Sequence, residues 1–229
     1  MSADRDKSVW VVVAAYNEAP VIGQVVADLI RHGYSVAVVD DGSADGTGRN
    51  ARAAGAELIT HPVNLGQGAA LQTGIEFAVQ KDADYIVTFD ADGQHRASDI
   101  AALLESLKTQ AVDFALGSRF LGHAPAMPLA RRALLKAATL FTRLATGLRL
   151  TDTHNGLRAM TRRGASHIRL KQNRMAHASE LLHQIARSSL GYVEVPVTIE
   201  YSAYSLAKGQ RLSDSLRILV DLSAQRLHR

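Results

Sequence analysis

A chain of 229 residues, 47% of them hydrophobic and none of them cysteine, is long enough to bury one α/β core. The missing cysteines exclude disulfides and thiolate metal sites and make a reducing compartment the default. Its net charge of +4 conceals a split: residues 1–130 hold 9 Lys and Arg against 16 Asp and Glu, a net of −7, whereas residues 131–229 hold 17 against 6, a net of +11.

An acidic front half suits a cation and a basic back half suits an anionic partner. With 5% aromatic residues and no basic–aromatic interleaving, a dedicated nucleic-acid binder is not expected. The short charged N-terminus has no signal-peptide core, and no apolar run is long enough to span a bilayer.

Val9 to Ala15 reads as a first buried strand, with Tyr16-Asn17-Glu18 as its polar C-terminal loop. Pro20 opens a helix whose apolar residues (Val21, Ile22, Val25, Val26, Leu29, Ile30) recur with helical period until Gly33 stops it. Ser35 to Val39 is a second strand ending in Asp40-Asp41-Gly42-Ser43, and Ser43 or Asp45 can cap the helix that Gly55 closes. Glu57 to Thr60 is a third strand, and Asn64-Leu65-Gly66-Gln67-Gly68 leads into a helix from Ala69 to about Lys81. The fourth strand lies in Asp84 to His95, where an apolar run ends in Asp90-Ala91-Asp92-Gly93-Gln94. A helix near Ser98 to Lys108 and a fifth strand, Asp113 to Leu116, lead to Gly117-Ser118-Arg119.

Strand–helix alternation with short connections predicts a mostly parallel central sheet with helices on both faces, in one α/β domain. Glu18, Asp40, Asp41, Asn64, Asp90, Asp92 and Arg119 all fall at or just past strand C-termini, and would converge on one rim, where open α/β sheets bind ligands. Asp90 and Asp92, with the Gln94 carbonyl, offer hard oxygen ligands for Mg²⁺ or Mn²⁺. An isolated pair of this kind is more often a solvated acidic loop; the convergence on one rim is what favours a nucleotide–metal site. Gly66-x-Gly68 opens a helix as a dinucleotide fingerprint does, but Leu71 stands at the third small position and the strand is the third, so that reading fails.

Beyond Arg119 the rhythm changes, with Gly122, Pro125 and Pro128 marking a connector. Ala133 to Leu148 is predicted helical, with Arg132, Lys136 and Arg143 on one face and Leu134, Phe141, Leu144 and Leu148 on the other. Thr151 to Arg158 reads as a polar loop or hairpin, Ala176 to Arg187 as a helix, and Tyr192 to Tyr201 as a strand interrupted by Pro196. A loop with Tyr204, Ser205, Lys208 and Gln210 then precedes an amphipathic helix with Leu212, Leu216, Leu219 and Val220.

Ala14-Ala15-Tyr16-Asn17-Glu18, Val39 to Thr47, Asn64 to Ala69, Asp90-Ala91-Asp92-Gly93-Gln94, Gly117-Ser118-Arg119, Asp152-x-x-Asn155-Gly156-x-Arg158 and Tyr192 to Val197 together resemble the ordered motifs of family 2 glycosyltransferases, which have the GT-A fold. The branch it is most similar to is that of the polyprenyl- and dolichyl-phosphate sugar synthases. The resemblance implies a nucleotide- and metal-binding half, residues 1–121, and an acceptor-side half, residues 122–229. It implies that Ala14, Tyr16, Glu18, Asp40, Asp41, Asn64 and Gly68 bind the nucleotide sugar and that Asp90, Asp92 and Gln94 hold Mg²⁺ or Mn²⁺. Asp90, Asp92, Arg119 and Asp152 are then the expected catalytic set, with Arg119 as a phosphate contact.

The implied reaction is inverting transfer from a UDP- or GDP-sugar to an acceptor, foremost a polyprenyl phosphate. The expected location is cytoplasmic, with peripheral association at the inner face of the plasma membrane. A sugar hydroxyl of a cell-surface polysaccharide is the alternative acceptor, and a non-catalytic sugar-nucleotide-binding module the alternative class. A hydroxyl acceptor needs a general base, for which Asp152, His177 and Glu180 are the candidates. Departures from the family pattern are Ala14 where proline is usual and Gln67 where lysine is common.

Overall fold

A computed structural model describes residues 8–125, 127, 129–172 and 176–201; the predicted C-terminal loop and helix lie outside the described residues. The elements run β1 (Val9–Ala15), α1 (Ile22–Arg31), β2 (Ser35–Asp40), α2 (Thr47–Ala53), β3 (Glu57–Thr60), α3 (Gln67–Gln80), β4 (Tyr85–Asp90), α4 (Asp99–Thr109), β5 (Phe114–His123), α5 (Leu129–Thr146), β6 (Arg158–Thr161), α6 (Arg162–His167), α7 (Ala176–Arg187) and β7 (Tyr192–Thr198). They build one seven-stranded sheet in the order β3-β2-β1-β4-β6-β5-β7. All strand pairs are parallel except those of β6, which runs antiparallel between β4 and β5.

The buried strands are β-branched runs because both sheet faces are covered. On one face α1 and α4 join Val11, Val13, Val36, Val38 and Val87 in one core; on the other, α3 and α7 close over Val12, Ala37, Ile86, Phe114 and Met160. The 2-residue alternation along β1 and β4 divides these two cores.

The predicted strands β1 to β4 hold to within about two residues, and Asp90 is the last residue of β4. The fifth strand is longer than predicted: it continues through Gly117-Ser118-Arg119 to His123, so Arg119 lies inside a strand, paired along β7 with a register shift between Ser118 and His123. β7 is the sheet edge, which is why Pro196 is tolerated within it. The polar segment from Thr151 is not a hairpin; it is a loop that ends in β6.

Helix α5 also differs from its predicted amphipathicity. Ala138, Thr139 and Thr142 form its buried side, Leu134 and Phe141 are half-buried, and Leu129, Leu140 and Leu144 point outward at 81, 58 and 76% exposure. Arg132, Lys136 and Arg143 are exposed as well, so leucines and cations share the solvent side of the helix.

Candidate active site

The strand ends of β1 and β2 carry a set of acids held mostly by backbone amides. Asp41 is buried and accepts hydrogen bonds from Leu65 N at 2.9 Å, Gly66 N at 2.7 Å and the His61 ring Nδ1 at 2.8 Å. The other ring nitrogen of His61 meets Thr73 Oγ1 at 3.0 Å, tying the 61–66 loop to α3. Asp40, also buried, accepts Ser43 N at 3.0 Å. Asp45 accepts Thr47 N, Thr47 Oγ1 and Ala19 N, which makes it the anchor of the α2 start.

Glu18 is buried, with its backbone N–H donating to Thr47 Oγ1 at 2.8 Å and its carbonyl receiving the first amides of α1. Asn17 before it has φ 53°, a left-handed conformation that asparagine tolerates. Tyr16 stands 46% exposed above this floor, and Asn64 is exposed on the loop leading to α3. Ala14 is half-buried opposite Asp90 in the β1–β4 ladder. Gly68 packs beneath the 172 loop: a side chain there would overlap the Gln172 carbonyl.

In the middle of the rim, Asp90 accepts from His95 Nε2 at 3.0 Å and from Gln67 Nε2 at 3.3 Å. Burial opposes its ionisation, but the His95 hydrogen bond and the charges of His95 and Arg158 outweigh it and hold Asp90 below the usual carboxylate range. The chain turns immediately after Asp90, so Asp92 sits in a turn closed by Gln94 N at 3.0 Å. Gln94 O in turn receives Glu200 N at 2.9 Å, fixing this turn to the end of the chain's last described segment. Burial and the Asp90 charge push Asp92 up to about 6.

That crowding is what a cation relieves. Among the described residues no group of three or more His, Asp and Glu side chains could hold a metal unaided. Two carboxylates, with the rest of the shell left to water and phosphate oxygens, is the donor set that Mg²⁺ or Mn²⁺ takes beside a nucleotide. The residues present fit such an ion.

Beyond Asp90, towards β6 and β5, lies the 151–158 loop. Glu194 on β7 accepts Thr151 N at 2.8 Å and Asp152 N at 3.0 Å, setting the start of the loop. Asp152 is buried and receives Arg119 Nε at 2.6 Å, Arg119 N at 3.1 Å and His154 N at 3.2 Å. Arg119 Nη2 donates to the His154 carbonyl at 2.7 Å. Arg119 therefore faces inward as a clamp on the loop, rather than outward with a free guanidinium. Gly156 has no side chain because one would run into the Asp90 carboxylate, and its carbonyl accepts Thr88 Oγ1 at 2.7 Å.

Sequence reasoning placed Glu18, Asp40, Asp41, Asn64, Asp90, Asp92 and Arg119 at or just past strand C-termini; the first six lie at the ends of β1 to β4 or in the loops that follow, whereas Arg119 lies inside β5, tied to Asp152. It did not find His61, His95 or Glu194, which hold Asp41, Asp90 and the Asp152 loop. His95 was in view, one residue past Gln94, and Glu194 lay in the Tyr192 to Val197 motif without a role assigned to it; His61 carried no local signal, and both His61 and Glu194 act across 20 or more residues.

The sequence profile described as Glycosyl transferase family 2 matches residues 10–169. An uncharacterised protein of Methanocaldococcus jannaschii is 35% identical over 96% of this chain and 92% of its own length. The UDP-N-acetylglucosamine–dolichyl-phosphate N-acetylglucosaminyltransferase of Methanococcus voltae is 31% identical over 95% of both chains. Among solved structures, glucosyl-3-phosphoglycerate synthase from Mycobacterium tuberculosis, in complex with Mn²⁺, UDP and glucosyl-3-phosphoglycerate, superposes with a TM-score of 0.67 at 20% identity over 89% of this chain and 75% of that one.

Proposed function

This chain belongs to glycosyl transferase family 2, and from that premise we propose that it moves a sugar, with inversion, from a nucleoside diphosphate sugar to a polyprenyl phosphate. The observation that carries the acceptor assignment is the state of the carboxylates beyond Asp90. Asp152 is held by Arg119 and His154, Glu194 by Thr151 and Asp152, and Glu180 by the amides of Lys171 and Gln172. Asp152, Glu180 and Glu194 are thus engaged by donors, and His177, the remaining base candidate, is buried near the start of α7, whereas an acceptor phosphate is already an anionic nucleophile and needs no base. The Methanococcus relative, whose name specifies a dolichyl-phosphate acceptor, supports the same choice.

In this reading Tyr16 lies against the base, while Glu18, Asp40 and Asp41 shape the pocket for base and ribose, with Asn64 at its mouth. Asp90 and Asp92, with Gln94 fixing their turn, would hold Mg²⁺ or Mn²⁺, which supplies Lewis-acid charge to the departing diphosphate. Arg119 and Asp152 act together to set the 152–158 loop against Asp90.

The enzyme must meet a lipid that does not leave the bilayer. Among the described residues no helix is long and apolar enough to cross a membrane. The outward face of α5 supports peripheral docking: it carries Leu129, Leu140 and Leu144 with Arg132, Lys136 and Arg143, and residues 129–146 contain no acid. Apolar side chains beside cations suit an anionic leaflet. Thr139, on the buried side of this helix, approaches Thr153 in the acceptor loop at 3.5 Å, so docking by α5 would bring the loop to the surface.

A donor panel of UDP-glucose, UDP-galactose, UDP-GlcNAc and GDP-mannose, each with Mg²⁺ or Mn²⁺ and a polyprenyl phosphate, tests the proposal. A metal-dependent lipid-linked sugar is the expected product, and Asp92→Asn should lower transfer at least about 100-fold, since a Lewis-acid contribution is several kcal/mol. Transfer to a sugar hydroxyl with none to polyprenyl phosphate overturns the acceptor assignment.

A further inference from the structure

Arg158 opens β6 and is 4% exposed, yet its guanidinium makes neither a hydrogen bond nor a contact ion pair among the described residues. A buried charge is costly unless it is paired, so its surroundings matter. Arg158 pairs with Thr88 across β4–β6, and Asp90 lies two residues beyond Thr88. Arg158 and Asp90 therefore project to the same sheet face, the one covered by α3 and α7. The Asp90 carboxylate leans over Gly156, two residues before Arg158, where a Cβ would overlap both of its oxygens. Arg158 thus stands behind Asp90, on the side away from the rim.

Its charge acts there through space. Both Asp90 oxygens are already taken, Oδ1 by Gln67 Nε2 at 3.3 Å and Oδ2 by His95 Nε2 at 3.0 Å. Gln67 is neutral, and Arg119 is neutralised by Asp152 at 2.6 Å. Against burial, the His95 hydrogen bond and the charges of His95, Arg158 and His177 hold Asp90 ionised. When both are ionised, Asp90 and Asp92 carry two negative charges, and Arg158 offsets one of them. A bare divalent cation is attracted by the carboxylates but repelled by Arg158. A cation that arrives with a diphosphate brings negative charge, which Arg158 attracts.

We propose that Arg158 is a positioning residue of the metal site, whose unpaired charge behind Asp90 weakens the hold on a bare divalent cation and favours the cation and diphosphate together. Metal and nucleotide are then thermodynamically coupled, each tightening the other by one and the same factor. The inference rests on the metal reading of Asp90 and Asp92 above, and it gives a use to a buried cation that forms no bond.

Calorimetry on the whole protein with Mn²⁺ alone, with UDP alone and with Mn²⁺ in saturating UDP tests this in wild type, Arg158→Met and Arg158→Lys. In wild type, UDP should tighten Mn²⁺ at least about 10-fold. Arg158→Met should tighten Mn²⁺ alone roughly 3- to 10-fold and reduce the coupling to UDP by at least that factor. Arg158→Lys keeps the charge without the guanidinium and should bind Mn²⁺ as wild type does. A residue that merely packed β6 would show neither the gain of metal affinity nor the rescue. Mn²⁺ binding that is unchanged or weaker in Arg158→Met, or Arg158→Lys matching Arg158→Met, overturns the role of Arg158. Wild-type protein that holds Mn²⁺ equally well with and without UDP overturns it too, and that result needs no variant to fold. Wild-type protein that binds UDP but takes up no Mn²⁺ in either state overturns the metal reading itself.

Discussion

The two sides of Asp90 are built on different principles. On the β1–β2 side, acids are satisfied mainly by backbone amides: Asp41 by two of them together with the His61 ring, Asp40 by Ser43 N, Asp45 by Thr47 and Ala19. On the β5–β6 side, charge faces charge in the Arg119–Asp152 pair, and Arg158 has no bonded partner among the described residues. The first arrangement keeps its shape whether or not a ligand is present. The second is held by one strong internal clamp.

Breaking the clamp should give the largest effect. Arg119 and Asp152 side chains are 7 and 1% exposed, so Arg119→Met leaves a buried carboxylate without its cation and should cost about 3–5 kcal/mol in urea unfolding. A loss below 1 kcal/mol would mean that the loop is held by Glu194 alone. Asp41→Ala removes the acceptor of three hydrogen bonds, and unfolding should report about 2–3 kcal/mol, with UDP binding weakened as the 61–66 loop loosens. Asp41→Asn, which keeps an acceptor oxygen, should recover part of both; equal loss in the two variants would contradict the picture of amides gathered by one carboxylate.

Asp92 gives a smaller effect of opposite sign. Folded, it keeps its proton up to about 6; unfolded, it loses it near 3.8. Stability therefore falls as pH rises between those values, and the metal-free protein carries the whole penalty at neutral pH. Asp92→Asn should stabilise the metal-free protein by about 1–2 kcal/mol at pH 7.5 and by nothing near pH 4, after discounting for partial exposure. For the same reason Mn²⁺ affinity, read by calorimetry, should decline as pH drops through about 6. The smallest stability change belongs to α5, where Leu140→Glu with Leu144→Glu should shift unfolding by no more than about 0.5 kcal/mol because both side chains already face water. Cosedimentation with anionic vesicles at low salt should nonetheless be lost; unchanged binding would remove α5 as the docking face.

This asymmetry also decided what could be read from the sequence. Val9–Ala15, Ser35–Asp40 and Tyr85–Asp90 are apolar runs cut off by acids, and parallel strands buried on both faces leave that mark. Arg158–Thr161 left none: four residues with an arginine at the head become a central strand only through their antiparallel partners Tyr85–Thr88 and Phe114–Leu116. The α5 pattern misled because helical periodicity says which residues share a face and not which face is covered. Alanine and threonine line its buried side, against the usual expectation that leucine would.

The place of β6 has a consequence for how the chain is made. β4 and β5 are consecutive in synthesis but never pair; β6, made later, joins one to the other. Until it arrives, β4 ends the growing sheet as an open edge, and β5 has neither of its neighbours, since β7 is later still. An exposed buried-type strand edge is an invitation to pair with another chain. A fragment ending at residue 121 should therefore aggregate instead of folding as a free nucleotide-binding unit, and the rim should close last in refolding, when Arg158 comes to lie beside Asp90.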